Sequence, residues 1–377
     1  MKFKQFIRQE SVLIVAIILA VLSAFLVHPD KEYIDYIDFR TLGILFSLMT
    51  VMAGLKRHGV FDRMGRALLK HTGGTLQLVL VLVGLCFFGS MFITNDVALL
   101  TFVPFTFAIL GNLGEQMQHR LALPVVCMQT VAANLGSMLT PIGNPQNLYL
   151  YSRSKISIME FAGLMLPYTL VSAVLLVGWA VLLCRRQKEK ISFTAIAQHQ
   201  SGQGNNKIVV LYGILFACCL LAVIHIVPYS IVFGVVLFCV FCGDRKTLSA
   251  VDYSLLLTFV AFFIFIGNLG RITIFSSWLR EIISGQEVLV AVMASQVTSN
   301  VPAALLLSGF TQNMEALIIG TNLGGLGTLI ASMASLISYR QIVGQMPHSK
   351  GKYFGIFTAS NIIFLIILLA VWVLTGR

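Results

Sequence analysis

Four short polar stretches interrupt otherwise apolar runs of this chain. They are Thr94-Asn95-Asp96, Thr140-Pro141-Ile142-Gly143-Asn144-Pro145-Gln146-Asn147, Ser299-Asn300, and Thr328 to Ser335. Two prolines and a glycine within eight residues make Pro141 to Pro145 a firm helix break. The prolines remove backbone donors, Gly143 permits unusual φ/ψ, and free carbonyls result. Carbonyl, hydroxyl and amide oxygens are the ligands that hard cations take. Helix arms that restart after a break present N-terminal N–H groups, which favour an anion. One centre built from such breaks can therefore serve cations and anions together. The candidate residues are Thr94, Asn95, Asp96, Thr140, Pro141, Gly143, Asn144, Ser299, Asn300, Thr328 and Ser332. Asn95 and Asn300 are expected to contact the solute or a Na⁺ ion, and no other cofactor is expected.

Asp96 is the only acid expected inside a membrane, since Glu160 and Glu315 sit at helix ends. A charge at the bilayer centre costs at least about 2.5–3.5 kcal/mol on insertion scales, so an intramembrane acid is a functional candidate. It also stands where a helix N-cap or first-turn acid would. Beside a site it would oppose an anion unless protonated or paired, which points to H⁺ or Na⁺ coupling, or to a cationic, metal-complexed or neutral solute. His225, near a helix end, is read as interfacial, and Cys239-x-x-Cys242 as ordinary thiols. No His-Glu-x-x-His, Gly-x-Ser-x-Gly or Walker motif occurs.

These breaks need apolar helices to hold them. Of 377 residues 57% are hydrophobic and 11% charged, against about 25% charged in a soluble domain. Apolar runs long enough for a bilayer recur along the whole length. The expected fold is an all-α polytopic membrane protein. A soluble enzyme, a nucleic-acid binder (despite the net charge of +11) and a disulfide scaffold are set aside. Apolar spans fall near 11–28, 40–55, 76–110, 121–151, 160–184, 208–227, 229–243, 254–269, 286–312, 314–339 and 353–374. Segments 76–110 and 286–312 are broken in the middle and read as re-entrant hairpins; 121–151 and 314–339 read as broken helices. That makes about nine full spans and two hairpins. Val60–Lys70 and Ile272–Ile283 are short amphipathic segments for the interface.

With the N-terminus cytoplasmic as a retained first helix and the C-terminus periplasmic, 19 of the 26 Lys and Arg fall on the inside. That is the bias the positive-inside rule requires, and letting either hairpin span fully would lose it. The chain then divides into a first half, 1–184, a polar cytoplasmic linker, 185–207, and a second half, 208–377. The halves echo each other. Asp38-Phe39-Arg40-Thr41-Leu42 answers Asp252-Tyr253-Ser254-Leu255-Leu256, and Thr94-Asn95 answers Ser299-Asn300. Asn134 to Leu148 aligns without gaps on Asn322 to Leu336, pairing Gly136 with Gly324 and Thr140 with Thr328. An odd number of crossings separates the copies, so the repeats are expected to be inverted, with the site near the midplane.

Phe92-Ile-Thr-Asn-Asp-Val-Ala-Leu-Leu, Leu139-Thr-Pro-Ile-Gly-Asn-Pro-Gln-Asn, Ser295-Gln-Val-Thr-Ser-Asn-Val-Pro-Ala and Gly320-Thr-Asn-Leu-Gly-Gly-Leu-Gly-Thr-Leu-Ile-Ala-Ser resemble the citrate-transporter-like (CitM-type) permeases of the ion transporter superfamily. That superfamily also holds divalent anion:Na⁺ symporters, arsenite efflux permeases and a family of Na⁺/H⁺ antiporters. The resemblance covers essentially the full chain and is nearest to uncharacterised bacterial inner-membrane members. It implies two re-entrant hairpins and a transport domain that moves against a homodimeric scaffold. In the anion symporters Ser-Asn-Thr at each hairpin tip binds carboxylate and Na⁺. Asn95 and Asn300 match that pattern, whereas Asp96 and Val301 replace its threonines. The wording of the first tip and first broken helix is nearer to the arsenite permeases.

The expected function is secondary active transport across the bacterial inner membrane. A small anionic or oxyanion-type solute would move by alternating access, coupled to H⁺ or Na⁺ as in a symporter. Arsenite or antimonite efflux and Na⁺/H⁺ antiport are the alternatives, with a passive channel and an enzyme behind them. The expected partners are the solute or ion and the lipid bilayer, without nucleic acid.

Overall fold

The computed structural model describes residues 10–70, 72–185 and 206–376. The basic N-terminal flank (Lys2, Lys4, Arg8) and the linker between 186 and 205 lie outside the described residues. Seventeen helices carry the fold: α1 Ser11–Leu26, α2 Phe39–Arg57, α3 Val60–Leu69, α4 Thr75–Gly89, α5 Asn95–Asn112, α6 Glu115–Ser137, α7 Pro145–Arg153, α8 Ile158–Cys184, α9 Asn206–Val223, α10 Tyr229–Gly243, α11 Tyr253–Arg271, α12 Thr273–Ile283, α13 Glu287–Thr298, α14 Asn300–Ser308, α15 Met314–Gly324, α16 Met333–Gln345 and α17 Lys350–Thr375. No β-strand occurs among the described residues. Six of these helices, α2, α5, α8, α9, α11 and α17, are long and apolar enough to cross a bilayer. The all-α polytopic class expected from composition is the observed one. In a bilayer every backbone donor and acceptor must be met within the protein, and the helix achieves this with its own hydrogen bonds.

The two interrupted segments fold as helix pairs whose arms pack on each other, α4 with α5 and α13 with α14. At 12 and 9 residues, α13 and α14 are about 18 and 14 Å long, short of a hydrocarbon core of about 30 Å. Two element boundaries move by six residues from their sequence-based positions. The first broken helix begins at Glu115 rather than 121, and the second runs to Gln345 rather than 339. Polar residues extend each helix beyond its apolar run, where hydropathy carries no signal. The amphipathic segments near 60–70 and 272–283 are helices α3 and α12.

α1 packs along α11, while α9 and α10 pack along α2. Equivalent helices begin alike. Asp38 caps α2 by accepting from the Thr41 amide at 2.9 Å, and Asp252 caps α11 by accepting from the Leu255 amide at 3.0 Å. Their backbone angles agree, φ −80°, ψ 83° against φ −79°, ψ 84°. The helices also end alike. Arg57 pairs with Asp244 and Arg271 with Asp30, each at 2.6 Å. Arg40 donates to His225 Nδ1 at 2.6 Å. Each of these contacts joins loops that the threading above places on one side of the membrane.

Asp244 is the most heavily bonded of these acids. Besides Arg57 it meets His58 Nε2 at 3.1 Å and accepts from the hydroxyls of Tyr212 and Thr247 at 3.2 and 2.7 Å. Burial pushes its carboxyl up, but the Thr247 hydroxyl, His58 and the Arg57 charge outweigh that and hold it below the usual carboxylate range. A lowered folded value means this stabilisation is complete above the unfolded carboxyl value and lost as pH falls through the folded one. Asp244→Asn should therefore lower the melting temperature of the detergent-solubilised protein at pH 7. The difference from wild type should shrink as the pH is taken below about 4, measured by thermal unfolding across a pH series.

Candidate functional site

The four breaks meet at one centre, and their hydrogen bonds come in matched pairs. The Asn95 amide at the first hairpin tip donates to the Gly143 carbonyl at 3.0 Å, and the Asn300 amide at the second tip donates to the Ala331 carbonyl at 3.0 Å. Each accepting loop is tightened alike, from Gly143 N to Thr140 O at 3.3 Å and from Ala331 N to Thr328 O at 3.2 Å. The Thr140 hydroxyl donates to the Met91 carbonyl at 2.5 Å, and the Thr328 hydroxyl to the Gln296 carbonyl at 3.1 Å. Thus each hairpin tip is tied to the broken helix of its own half by both backbone and side chain.

The halves are tied to each other by asparagines. Asn144 donates to Asn322 Oδ1 at 3.2 Å, and Ser332 donates to Asn134 Oδ1 at 3.0 Å. In return Asn322 donates to Asn147 Oδ1 at 2.6 Å, and Asn134 to Ser335 Oγ at 3.4 Å. All six residues are 5% exposed or less. Asn95 joins this ring through Nδ2 to Asn134 Oδ1 at 3.1 Å. An amide carries donors at one end and an acceptor at the other, so reciprocal amides can satisfy two breaks at once without a charge. Small residues let the arms approach: a Cβ on Gly136 would stand 2.0 Å from the Phe87 carbonyl, and one on Gly143 would stand 2.1 Å from the Ser137 carbonyl.

The tips differ in one respect. Thr94 has ordinary extended angles, φ −60°, ψ 149°, whereas Ser299 sits at φ 80°, ψ 154°. For a residue with a Cβ that conformation costs on the order of 1–3 kcal/mol and is held by its surroundings. The tip bonds to Ala331 supply that constraint.

Beside the ring lies a cavity of about 400 Å³. It is lined by Thr94, Asp96 and Pro145 from the breaks, Met333 and Ile337 from α16, and Lys56, Arg57 and Asp252 at the ends of α2 and α11. Lys56 Nζ reaches the Leu100 carbonyl, one turn beyond Asp96 on α5, at 3.5 Å. Asp96 occupies the first turn of α5 without capping it; the N-cap position is Thr94, and no side chain caps there. The Asn95 Oδ1 instead accepts from the Asp96 amide at 2.9 Å.

The structure therefore brings every candidate residue to one centre: Asn95, Asn144, Ser299, Asn300 and Ser332 are buried, and Thr94, Asp96 and Pro145 face the cavity. Thr140 and Thr328 bind backbone carbonyls, and Pro141 and Gly143 shape the first loop. Sequence reading passed over Asn134, Asn322, Asn147 and Ser335 as site residues, although their matched positions in the two halves were the available signal. It also passed over Lys56, which no motif marks, and Asp252, read only as part of the repeat; both lie far from Asp96 in the chain. Gln146 Nε2 is buried without a hydrogen-bond partner among the described residues. No cluster of metal-ligating His, Cys, Asp or Glu occurs among them.

Broken helices, short paired arms and a polar centre inside an apolar helical body define a multi-pass membrane transport protein. The family described as "Citrate transporter" matches residues 6–316, and the chain belongs to that family. An uncharacterized transporter of Methanocaldococcus jannaschii is 30% identical over 339 residues, covering 90% of each chain. The inner membrane protein YbiR of Escherichia coli is 31% identical over 331 residues, covering 85% of this chain and 84% of its own. The silicon efflux transporter LSI3 of Oryza sativa subsp. japonica is 32% identical over 163 residues, 43% of this chain and 32% of that one.

Two outcomes follow from this geometry. Asn322→Ala strands its buried partners Asn144 and Asn147, and should destabilise the protein by about 1–3 kcal/mol, seen as an earlier thermal midpoint. Ser299→Gly should unfold no earlier than wild type, because glycine accepts a positive φ, whereas Ser299→Ala keeps the strain and should not gain.

Proposed function

We propose that this protein is a secondary active transporter that works by alternating access, and that the structure is its inward-facing conformer. The halves act as inverted repeats in about nine spans and two hairpins, with the N-terminus cytoplasmic and the C-terminus periplasmic in a bacterial inner membrane. By its resemblance to the anion symporters, the protein works as a homodimer. The solute is small and anionic or oxyanion-type, and its movement is coupled to H⁺ or Na⁺. One observation carries the reading: a reciprocally bonded ring of four helix breaks lies beside a 400 Å³ cavity that contains Asp96. Asn95 and Asn300 bear on the solute or Na⁺. Thr94, Thr140, Asn144, Ser299, Thr328 and Ser332 supply oxygens or amides, and Asp96 carries the coupling charge. An intramembrane carboxylate is costly when empty and is neutralised by a proton or cation, so loading it lowers the barrier to carrying the site across.

A second reading has its own support. Asp96 and Asp252 line one cavity with Lys56 and Arg57, so its lining charges balance, which suits a neutral metalloid hydroxide. The partial likeness to a silicon efflux transporter agrees with export of silicic- or arsenous-acid-type solutes.

Proteoliposomes with an imposed pH or Na⁺ gradient separate these readings. Labelled citrate should accumulate under the first, and arsenite or germanic acid should be moved under the second. Absence of gradient-driven movement of all three would remove the transporter reading. Asp96→Asn should leave the protein folded and abolish dependence on the gradient; retained coupling in that variant would sink the role given to Asp96.

A further inference from the structure

The matched bonds relate the two halves residue by residue, and the same relation identifies contacts that this conformer does not make. On the outer side α2 and α7 are latched together. The Thr41 hydroxyl bonds to Asp38 Oδ2 at 2.6 Å and to Ser152 Oγ at 2.8 Å, and Ser152 reaches Asp38 at 3.4 Å. Tyr149, one turn earlier on α7, is 1% exposed, with its hydroxyl on Ser308 at 2.8 Å. On the inward-facing reading, these contacts are the outer closure.

The equivalents of these residues follow from the offsets already established, 214 for α2 and α11 and 188 for the broken helices. Asp38 corresponds to Asp252, Thr41 to Leu255, Tyr149 to Ile337 and Ser152 to Arg340. On the inner side the arrangement is open. Asp252, Leu255 and Ile337 line the cavity, and the Asp252 carboxylate accepts from its own helix, at the Leu255 amide. Arg340 is exposed, on α16 three residues beyond Ile337.

We propose that Asp252 and Arg340 are the positioning residues that shut the inner mouth. In the outward-facing conformer α16 closes on the start of α11 as α7 now closes on the start of α2, and the Arg340 guanidinium meets the Asp252 carboxylate. This rests on the alternating-access reading above. The two closures then differ in chemistry. The outer one is a hydroxyl–carboxylate contact, whereas the inner one is an Arg–carboxylate pair, whose planar fork suits two parallel bonds. Only the inner closure should respond to charge reversal and salt.

The test uses the full chain with its seven native cysteines replaced and Ala53→Cys, on the cavity wall of α2, as reporter. A membrane-impermeant maleimide is applied from the cytoplasmic side of inside-out vesicles. Thr41→Cys with Ser152→Cys, oxidised, should lock the present conformer and leave Ala53→Cys reactive. Leu255→Cys with Arg340→Cys keeps the Asp252 cap; once oxidised, it should protect Ala53→Cys. Without cross-links, Asp252→Asn, which can still cap α11, should label about threefold to fivefold faster than the parent, the range of a partly exposed ion pair. Failure of the Leu255–Arg340 pair to cross-link while the Thr41–Ser152 pair does, or an unchanged rate in Asp252→Asn, would overturn this assignment and leave alternating access standing. Equal labelling in both cross-linked forms would overturn both.

Discussion

A backbone N–H or C=O left bare in hydrocarbon costs several kcal/mol, and this chain opens four helices at that depth. Everything else in the fold answers that constraint. The tip of each hairpin hands its amide to the loop of the neighbouring broken helix, and the loop hands its threonine back to the hairpin. Asn134 and Asn322 then bind the opposite half's break, so neither half satisfies itself alone. The polar groups come in self-complementary pairs, which lets an uncharged centre persist inside an apolar body. Its cost is offset locally, and the remaining helices can be plain apolar rods.

The pairing has departures. Asp96 faces Val301 across the relation between the halves, Lys56 faces Gly270, and Ser152 faces Arg340. The first two place charges beside the cavity and none at the matched positions of the other half. Ser299 carries a positive φ that Thr94 does not. Matched backbone bonds thus coexist with an unequal distribution of charge between the two halves. Membership of the citrate transporter family agrees with such a scaffold, while Asp96 and Val301 at the third tip positions distinguish this chain from a Ser-Asn-Thr pattern.

Much of the architecture was legible in the residues. Runs of apolar side chains, interrupted by Pro141, Gly143 and Pro145 and by the Asn95 and Asn300 stretches, determine membrane-spanning helices with breaks, because hydropathy and backbone stereochemistry are local properties. The matched starts were legible too, since Asp38 and Asp252 stand in matching stretches and cap α2 and α11 with closely equal angles. The polar ends of α6 and α16 escaped, because a helix continues past its apolar run when its next turns reach water or headgroups.

Only the tertiary structure decided which breaks share bonds and which charges share a cavity. Nothing near Asp96 in the chain announces Lys56 or Asp252; the fold brings the ends of α2 and α11 to the same cavity that α5 and α16 line. The same holds for Asn144 and Asn322, whose bond joins positions far apart in the chain. Side-chain type and spacing specify what a residue can donate or accept, whereas the partner it finds depends on helix contacts made over long chain separations, and those are properties of the packed body alone.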